Sequence, residues 1–269
     1  MKLSEAIKIL KDAGVDNPRH DARILFMHFC GMDFSELISS DVFSDKKELI
    51  DAIERRKNRE PLQYITGTVG FYREEYNVNN SCLIPREDTE ILVNYAVKNM
   101  PEGKRFLDLC TGSGCIAIST LANTHNTRAT AVDISKAALC TAKTNAEKNG
   151  VADRIQFIEA DVLSYEENDG YFAILSNPPY VTEEEYEALA PEIFFEPKIA
   201  LTAKDQGLEF YKKIISNYKD SLDEEGFFAF EIGSLQADAL ISISHGHGLS
   251  CEIIKDCSQK DRVAIIRRR

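Results

Sequence analysis

The stretch Asp108 to Ser119, DLCTGSGCIAIS, decides how this chain folds. It completes an apolar run, RFLDLC, turns through Gly112 and Gly114, and continues into an apolar segment that reads as a helix. Glycines this close together let the backbone turn tightly and let a ligand approach the start of that helix. Outward from this unit the alternation repeats in TRATAVDI and KAALCTAKTNAEKNG, then in RIQFIEAD and YFAILSN. Strands alternating with helices imply parallel pairing through right-handed crossovers, and so an α/β fold with a doubly wound, Rossmann-like sheet. The later segments GFFAFEIG, SCEIIKDC and RVAIIRR add strands, the last two close enough to pair antiparallel at one edge.

From Met1 to about Glu60 the pattern is helical throughout. Leu3, Ala6, Ile7, Leu10 and Ala13 recur at helical spacing ahead of Gly14, and RHDARILFMHFCG closes on Gly31. SDKKELIDAIERRKNRE runs from a candidate cap at Ser44 and stops before Pro61. Between Tyr64 and Pro85, glycines and alternating aromatic and β-branched residues predict a short hairpin joining two domains. The expected division is a small all-helical domain over residues 1–75 and an α/β domain over 76–269.

Composition narrows the classes of function. With 43% hydrophobic and 28% charged residues the chain has a globular make-up, and no apolar run approaches the ~18 residues that span a bilayer. No membrane association is expected. The opening MKLSEAIKILKDAG lacks the continuous apolar core of a secretory signal and reads as a packed helix. Seven cysteines form an odd set without a CxxC pair or a matching histidine pattern, so free thiols in a reducing cytoplasm are expected, and no metal site. A formal charge of -12 repels a nucleic-acid backbone, so stable nucleic-acid binding is not expected. The basic clusters RRKNR, Arg55 to Arg59, and RRR, Arg267 to Arg269, read as solvated faces.

Asp133 ends the second strand in AVDIS, 21 positions after Gly112, the distance at which an acidic side chain receives ribose hydroxyls. Turn and acid together indicate a nucleoside-type cofactor. Gly112, Gly114 and Ala117 also satisfy the GxGxxA form of the dinucleotide fingerprint, so the glycines alone leave its identity open. Two carboxylates favour S-adenosylmethionine. Asp108, four residues before Gly112, can receive a methionine ammonium, which NAD lacks. Asp161, in EAD at the end of the third strand, can accept an adenine amino group while Val162 packs against the ring.

In a doubly wound sheet ligands lie beyond the carboxyl ends of the strands, so ILSNPPYV, Ile174 to Val181, ends beside the cofactor turn. This motif suits methylation of a planar nitrogen with a delocalised lone pair, a carboxamide or the exocyclic amine of a base. The Asn177 side-chain oxygen and the Pro178 carbonyl can each accept one N–H of that nitrogen and turn its lone pair toward a methyl group. Pro178 and Pro179 stiffen the loop, and Tyr180 offers a flat face. A hydrogen bond in water nets ~1 kcal/mol, whereas reactive positioning in a dry site is worth ~7–11 kcal/mol, so orientation outweighs binding strength.

Read in order, REPLQYITG (Arg59 to Gly67), LIPREDTE (Leu83 to Glu90), DLCTGSG, AVDIS, SNPPY, FFEPKIAL (Phe194 to Leu201), DQGLEFY (Asp205 to Tyr211) and FEIGSLQ (Phe230 to Gln236) resemble the HemK/PrmC family of release-factor glutamine methyltransferases. The resemblance implies a class I S-adenosylmethionine-dependent methyltransferase domain and an N-terminal helical domain that helps recognise the substrate. It further implies methylation of the side-chain amide nitrogen of the glutamine in the Gly-Gly-Gln motif of peptide chain release factors, in the cytoplasm. By position, Cys110, Thr111, Gly112, Ser113 and Gly114, with Asp133, Val162 and Asn177, would contact the cofactor. Asn177, Pro178, Pro179 and Tyr180, with Arg86 of LIPREDTE, would contact the substrate glutamine, and Asn177, Pro178 and Tyr180 would carry catalysis. Three positions depart from the family pattern: Cys110 stands where glycine is usual, Glu87 where proline is usual, and Val162 where an aromatic residue is frequent. A ribosomal-protein glutamine methyltransferase, an adenine-N6 methyltransferase and a non-catalytic cofactor-binding adaptor are the competing readings.

Overall fold

The computed structural model describes residues 1–167 and 170–269 and divides into two compact units. One comprises Met1–Thr68 with Ala190–Phe195, the other Val69–Leu189 with Glu196–Arg269. The division thus falls after Thr68, where the sequence suggests residue 75, because Phe71 and Tyr76 of the hairpin are buried in the α/β core. Buried there, the Tyr76 hydroxyl is 2.6 Å from Ser119 Oγ.

The helical unit runs through α1 (Leu3–Asp12), α2 (Pro18–Cys30), α3 (Phe34–Ser39), α4 (Lys47–Lys57) and α5 (Leu62–Thr66). Leu3, Leu10, Leu25, Phe26, Leu49 and Ile53 interdigitate in its core, each contributing ~1.5–3 kcal/mol by leaving water. Pro18 opens α2 where its missing N–H costs nothing, and Gly31 closes it in the left-handed region at φ 66°. Ser44 does not cap α4. The helix begins later, and the Ser44 hydroxyl accepts from Lys46 N at 3.3 Å and from the Cys30 thiol at 3.2 Å.

The RRKNR cluster is only partly a solvated face. Arg56 is buried, donating from Nε to Asp21 Oδ2 at 2.7 Å and from Nη2 to Glu192 Oε1 at 3.1 Å. Arg59 pairs with the same glutamate at 2.7 Å. Removing one partner of such a buried pair costs ~3–5 kcal/mol, because the charge left behind is unpaired. At the other cluster Arg267 lies over the Phe227 ring, 5.3 Å from its centroid, while Arg268 and Arg269 are exposed.

The chain continues through the hairpin strands β1 (Thr68–Phe71) and β2 (Glu74–Asn77), then α6 (Glu90–Asn99), β3 (Arg105–Leu109), α7 (Cys115–Ala122), β4 (Arg128–Asp133) and α8 (Lys136–Lys148). It goes on through β5 (Ile155–Glu159), β6 (Tyr171–Ser176), α9 (Glu183–Glu187), α10 (Glu209–Tyr218), β7 (Leu222–Glu231), α11 (Ala237–Gly246), β8 (Leu249–Lys255) and β9 (Asp261–Arg268). The sheet has the order β5-β4-β3-β6-β7-β9-β8, parallel except for β9, which is antiparallel to both neighbours. Every residue of β6 is buried, as expected of a central parallel strand covered on both faces. Strands step outward from β3 to β5; the chain then crosses back and lays β6 on the other side of β3, with Leu109 opposite Ser176. A crevice opens beyond the carboxyl ends of strands at such a reversal, and Cys110 and Asn177 are the next residues on the two strands. Among the described residues no helix is long and apolar enough to cross a membrane.

Candidate active site

A cavity of about 490 Å³ occupies this crevice, within the range of small-molecule sites. One wall is the β3–α7 turn. Gly114 begins α7 at φ 82°, and a Cβ there would sit 2.7 Å from Ile118 Cδ1 and 3.1 Å from Ala142 Cβ. Backbone and packing both demand glycine at that point. Cys110 also adopts a positive φ, 59°, a region that costs a non-glycine residue ~1–2 kcal/mol. Burial, reinforced by the Asp133 and Asp108 carboxylates, holds the Cys110 thiol well above its ordinary range, so it is no nucleophile.

Asp108 is fully buried behind this turn. Its Oδ2 accepts from Thr111 Oγ1 at 2.6 Å and Ala117 N at 3.2 Å, whereas its Oδ1 has no partner among the described residues. Burial raises its pKa to about 7 against the pull of those two hydrogen bonds. Asp133 ties the turn to β4, accepting from Gly112 N and Ser135 N, both at 2.8 Å. Burial lifts its carboxyl above the usual range while these bonds oppose the shift. Thr111, Gly112, Ser113 and Asp133 line the cavity, as do Asp161 and the buried Val162. Asp161 Oδ1 accepts from Leu163 N at 2.9 Å, which fixes that loop.

Asn177 and Pro179 line the cavity, together with Arg86, whereas Pro178 and Tyr180, also expected at the site, are not among its lining residues. The loop after β6 is held from outside itself. Tyr180 N and Val181 N donate to Leu201 O at 3.1 and 2.9 Å, and Gln236 Nε2 donates to Tyr180 O at 3.3 Å. Gly207, at φ 79°, lies so close that a Cβ would sit 2.1 Å from Tyr180 O. Asn177 Nδ2 donates to Thr89 Oγ1 at 3.3 Å. Neither Asn177 Oδ1 nor the Pro178 carbonyl accepts a hydrogen bond among the described residues. The Tyr180 hydroxyl donates to Glu231 Oε1 at 3.2 Å, so that ring is anchored to the sheet.

Four supporting residues carry no role in the reading of the sequence. Thr89 and Glu231 are both buried, and the Thr89 hydroxyl donates to Glu231 Oε2. Glu196, buried, accepts from Ile84 N at 3.0 Å and from the Arg86 guanidinium, so it seats the arginine at the cavity. Gly207 is the fourth. The available signals are single carboxylates inside largely apolar segments, Glu231 in GFFAFEIG and Glu196 in FFEPKIAL.

A mostly parallel sheet with a cavity at its reversal point, a glycine turn on one side and an Asn-Pro-Pro-Tyr loop on the other, is the class I methyltransferase fold. The fold agrees with a solved ribosomal protein L11 methylase from Lactobacillus delbrueckii subsp. bulgaricus, 19% identical, TM-score 0.53, covering 71% of this chain and 84% of that one. The PrmC N-terminal domain model matches residues 2–67 and the methyltransferase small domain model matches residues 87–224. A release factor glutamine methyltransferase from Thermodesulfovibrio yellowstonii is 36% identical over 92% of each chain. This chain belongs to the release factor glutamine methyltransferase family. A bifunctional methyltransferase from Rickettsia bellii is 35% identical over 97% of this chain, which spans 53% of that longer protein; the chain thus spans about half the length of such relatives.

Proposed function

We propose that this protein transfers a methyl group from S-adenosylmethionine to the side-chain amide nitrogen of the glutamine in the Gly-Gly-Gln motif of peptide chain release factors, in the cytoplasm. The observation that carries the reading is a pair of unfilled acceptors, Asn177 Oδ1 and the Pro178 carbonyl, on the loop that faces the cofactor turn. The helical unit, Met1–Thr68 with Ala190–Phe195, would serve recognition of the factor.

The residues present fit the donor. Asp108 is fully buried and does not itself line the cavity, but its Oδ1 is unpartnered behind Thr111, so a methionine ammonium seated at the turn would be the donor that this oxygen lacks. Thr111 to Gly114 would pass beneath the methionine moiety, Asp133 would receive the ribose hydroxyls, and Asp161 with Val162 would hold the adenine. When bound, the donor supplies a methyl group on a sulfonium. Everything else falls to the chain. Asn177 Oδ1 and the Pro178 carbonyl would take the two N–H bonds of the substrate amide and leave its lone pair facing the cofactor side. Arg86, seated by Glu196, would line the approach of the peptide. As the nitrogen gains the methyl group its N–H becomes acidic, and the surplus proton would leave along its hydrogen bond to Asn177 Oδ1 or the Pro178 carbonyl and pass to water, so no titrating base is required.

The test is transfer of label from S-adenosylmethionine, offered in turn to release factor, release factor with the motif glutamine changed to glutamate, ribosomes and deproteinised RNA or DNA. Label is expected on the unaltered factor alone. Label persisting on the altered factor, or appearing on ribosomes or nucleic acid instead, sinks the proposal.

A further inference from the structure

A carboxamide has nearly the same shape in both orientations, so the Asn177 side chain could present either its oxygen or its NH2 to the cavity. Only the oxygen can accept a substrate N–H. What decides the orientation is the hydrogen-bond partner behind it. Thr89 Oγ1 lies 3.3 Å from Asn177 Nδ2 and has a single proton to give, which goes to Glu231 Oε2. An ionised carboxylate accepts only, so it claims that proton and leaves Thr89 with lone pairs alone for Asn177. The amide must then turn its NH2 to Thr89 and its oxygen outward. Thr89 directly precedes α6, where a threonine ordinarily caps the helix, yet its side chain makes no cap hydrogen bond. The hydroxyl serves this chain of bonds instead.

We infer that Thr89 and Glu231 are positioning residues that hold the Asn177 carboxamide with its oxygen toward the substrate, an inference that rests on the role proposed above for Asn177. A carboxylate at the end of β7, behind Phe227, Phe228 and Phe230, is costly to bury. It makes two side-chain bonds, to Thr89 and Tyr180, and both lead to the substrate loop. The charged and titratable groups facing it are Arg262 of β9, Asp88 beside Thr89, Tyr180, Tyr211 of α10 and the Cys115 thiol of α7. Protonation of Glu231 reverses the chain. The carboxylic acid donates to Thr89, Thr89 can then donate to Asn177 Oδ1, and the amide turns its NH2 to the substrate. Activity therefore falls as Glu231 takes up a proton. Burial moves that event above the ordinary glutamate range, with the Thr89 and Tyr180 bonds and Arg262 opposing.

The test uses the full chain, labelled S-adenosylmethionine and release factor. Thr89→Val keeps shape and volume but removes the hydroxyl; Thr89→Ser restores it. Thr89→Val should lower kcat by about tenfold, the weight of one positioning hydrogen bond, with a smaller change in KM and unchanged affinity for S-adenosylhomocysteine by calorimetry. Thr89→Ser should recover most of the loss, and Glu231→Gln should remove the acid limb of the kcat profile. A Thr89→Val enzyme with wild-type kcat, a serine variant as impaired as valine, or an acid limb that survives Glu231→Gln overturns the inference. If the unaltered enzyme transfers nothing to release factor, the role of Asn177 and this inference fall together; if it transfers and the variants do not differ, only the inference falls.

Discussion

The two walls of the cavity are built in opposite ways. The wall proposed to hold the cofactor is local: Cys110, Thr111, Gly112 and Ser113 line it from one strand–turn–helix unit, with Asp108 and Gly114 on the same unit, and Asp133 braces the turn from the adjacent strand through Gly112 N. The wall proposed to hold the substrate is assembled from distance. Its loop at Asn177 to Tyr180 depends on Thr89, Leu201, Gly207, Glu231 and Gln236, none of which lies next to it in the chain. A local wall tolerates change elsewhere and binds its ligand regardless; an assembled wall fails whenever any one supporting segment moves. Cofactor binding and methyl transfer should therefore be separable by mutation.

The sharpest break in that comparison is Asn177→Ala. It removes the acceptor and one of the cofactor contacts that the family resemblance implies, but none of the cofactor turn, so transfer to release factor should fall by about 10²–10³-fold, while S-adenosylhomocysteine affinity by calorimetry stays within about threefold, less than one positioning hydrogen bond. Comparable losses in both would mean that the walls are not independent. Next in size is Gly207→Ala, whose Cβ would sit 2.1 Å from Tyr180 O. Displacing the loop should cost about 10–100-fold in kcat and lower the melting temperature, again sparing cofactor binding. Unimpaired turnover there would show that the loop does not depend on this support.

These effects mark what is legible in the sequence. The alternation around DLCTGSG, the spacing of Gly112 and Asp133 and the apolar run before Asn177 are local patterns, so the parallel sheet and cofactor turn can be read from them. The antiparallel β8–β9 pair follows from proximity in the chain. Thr89, Glu196, Gly207 and Glu231 stand in the strings LIPREDTE, FFEPKIAL, DQGLEFY and FEIGSLQ, but what each does is not legible there, because it acts through a partner far away in sequence. The same reason makes Arg56 look solvated when Asp21 and Glu192 in fact enclose it. Ser44 fails as a cap because a nearby thiol and a backbone N–H engage its hydroxyl.

Two smaller effects sharpen the cofactor side. Asp108, raised to about 7 from 3.8 by burial, makes the ligand-free fold most stable below about 3.8, and that contribution is lost as pH rises through about 7. A bound ammonium favours the ionised form, so S-adenosylhomocysteine affinity should rise with pH across this window, by up to about tenfold per unit. Asp108→Asn should flatten the dependence; an unchanged pH profile in that variant would detach Asp108 from the ligand. The smallest effect is Cys110→Gly. Relief of the positive φ of 59°, offset by the greater unfolded-state freedom of glycine, should raise stability by about 0.5–1 kcal/mol. A lower melting temperature would mean that the cysteine side chain contributes more packing than its backbone costs.

The central claim is that the Asn177 loop presents a glutamine amide to the methyl donor, and the most direct measurement is the position of the transferred methyl. After a single turnover with release factor and isotopically labelled S-adenosylmethionine, tandem mass spectrometry of the Gly-Gly-Gln peptide should place one labelled methyl on the glutamine side-chain nitrogen. A methyl on any other atom of that peptide, or an unmodified peptide beside newly formed S-adenosylhomocysteine, would contradict the account.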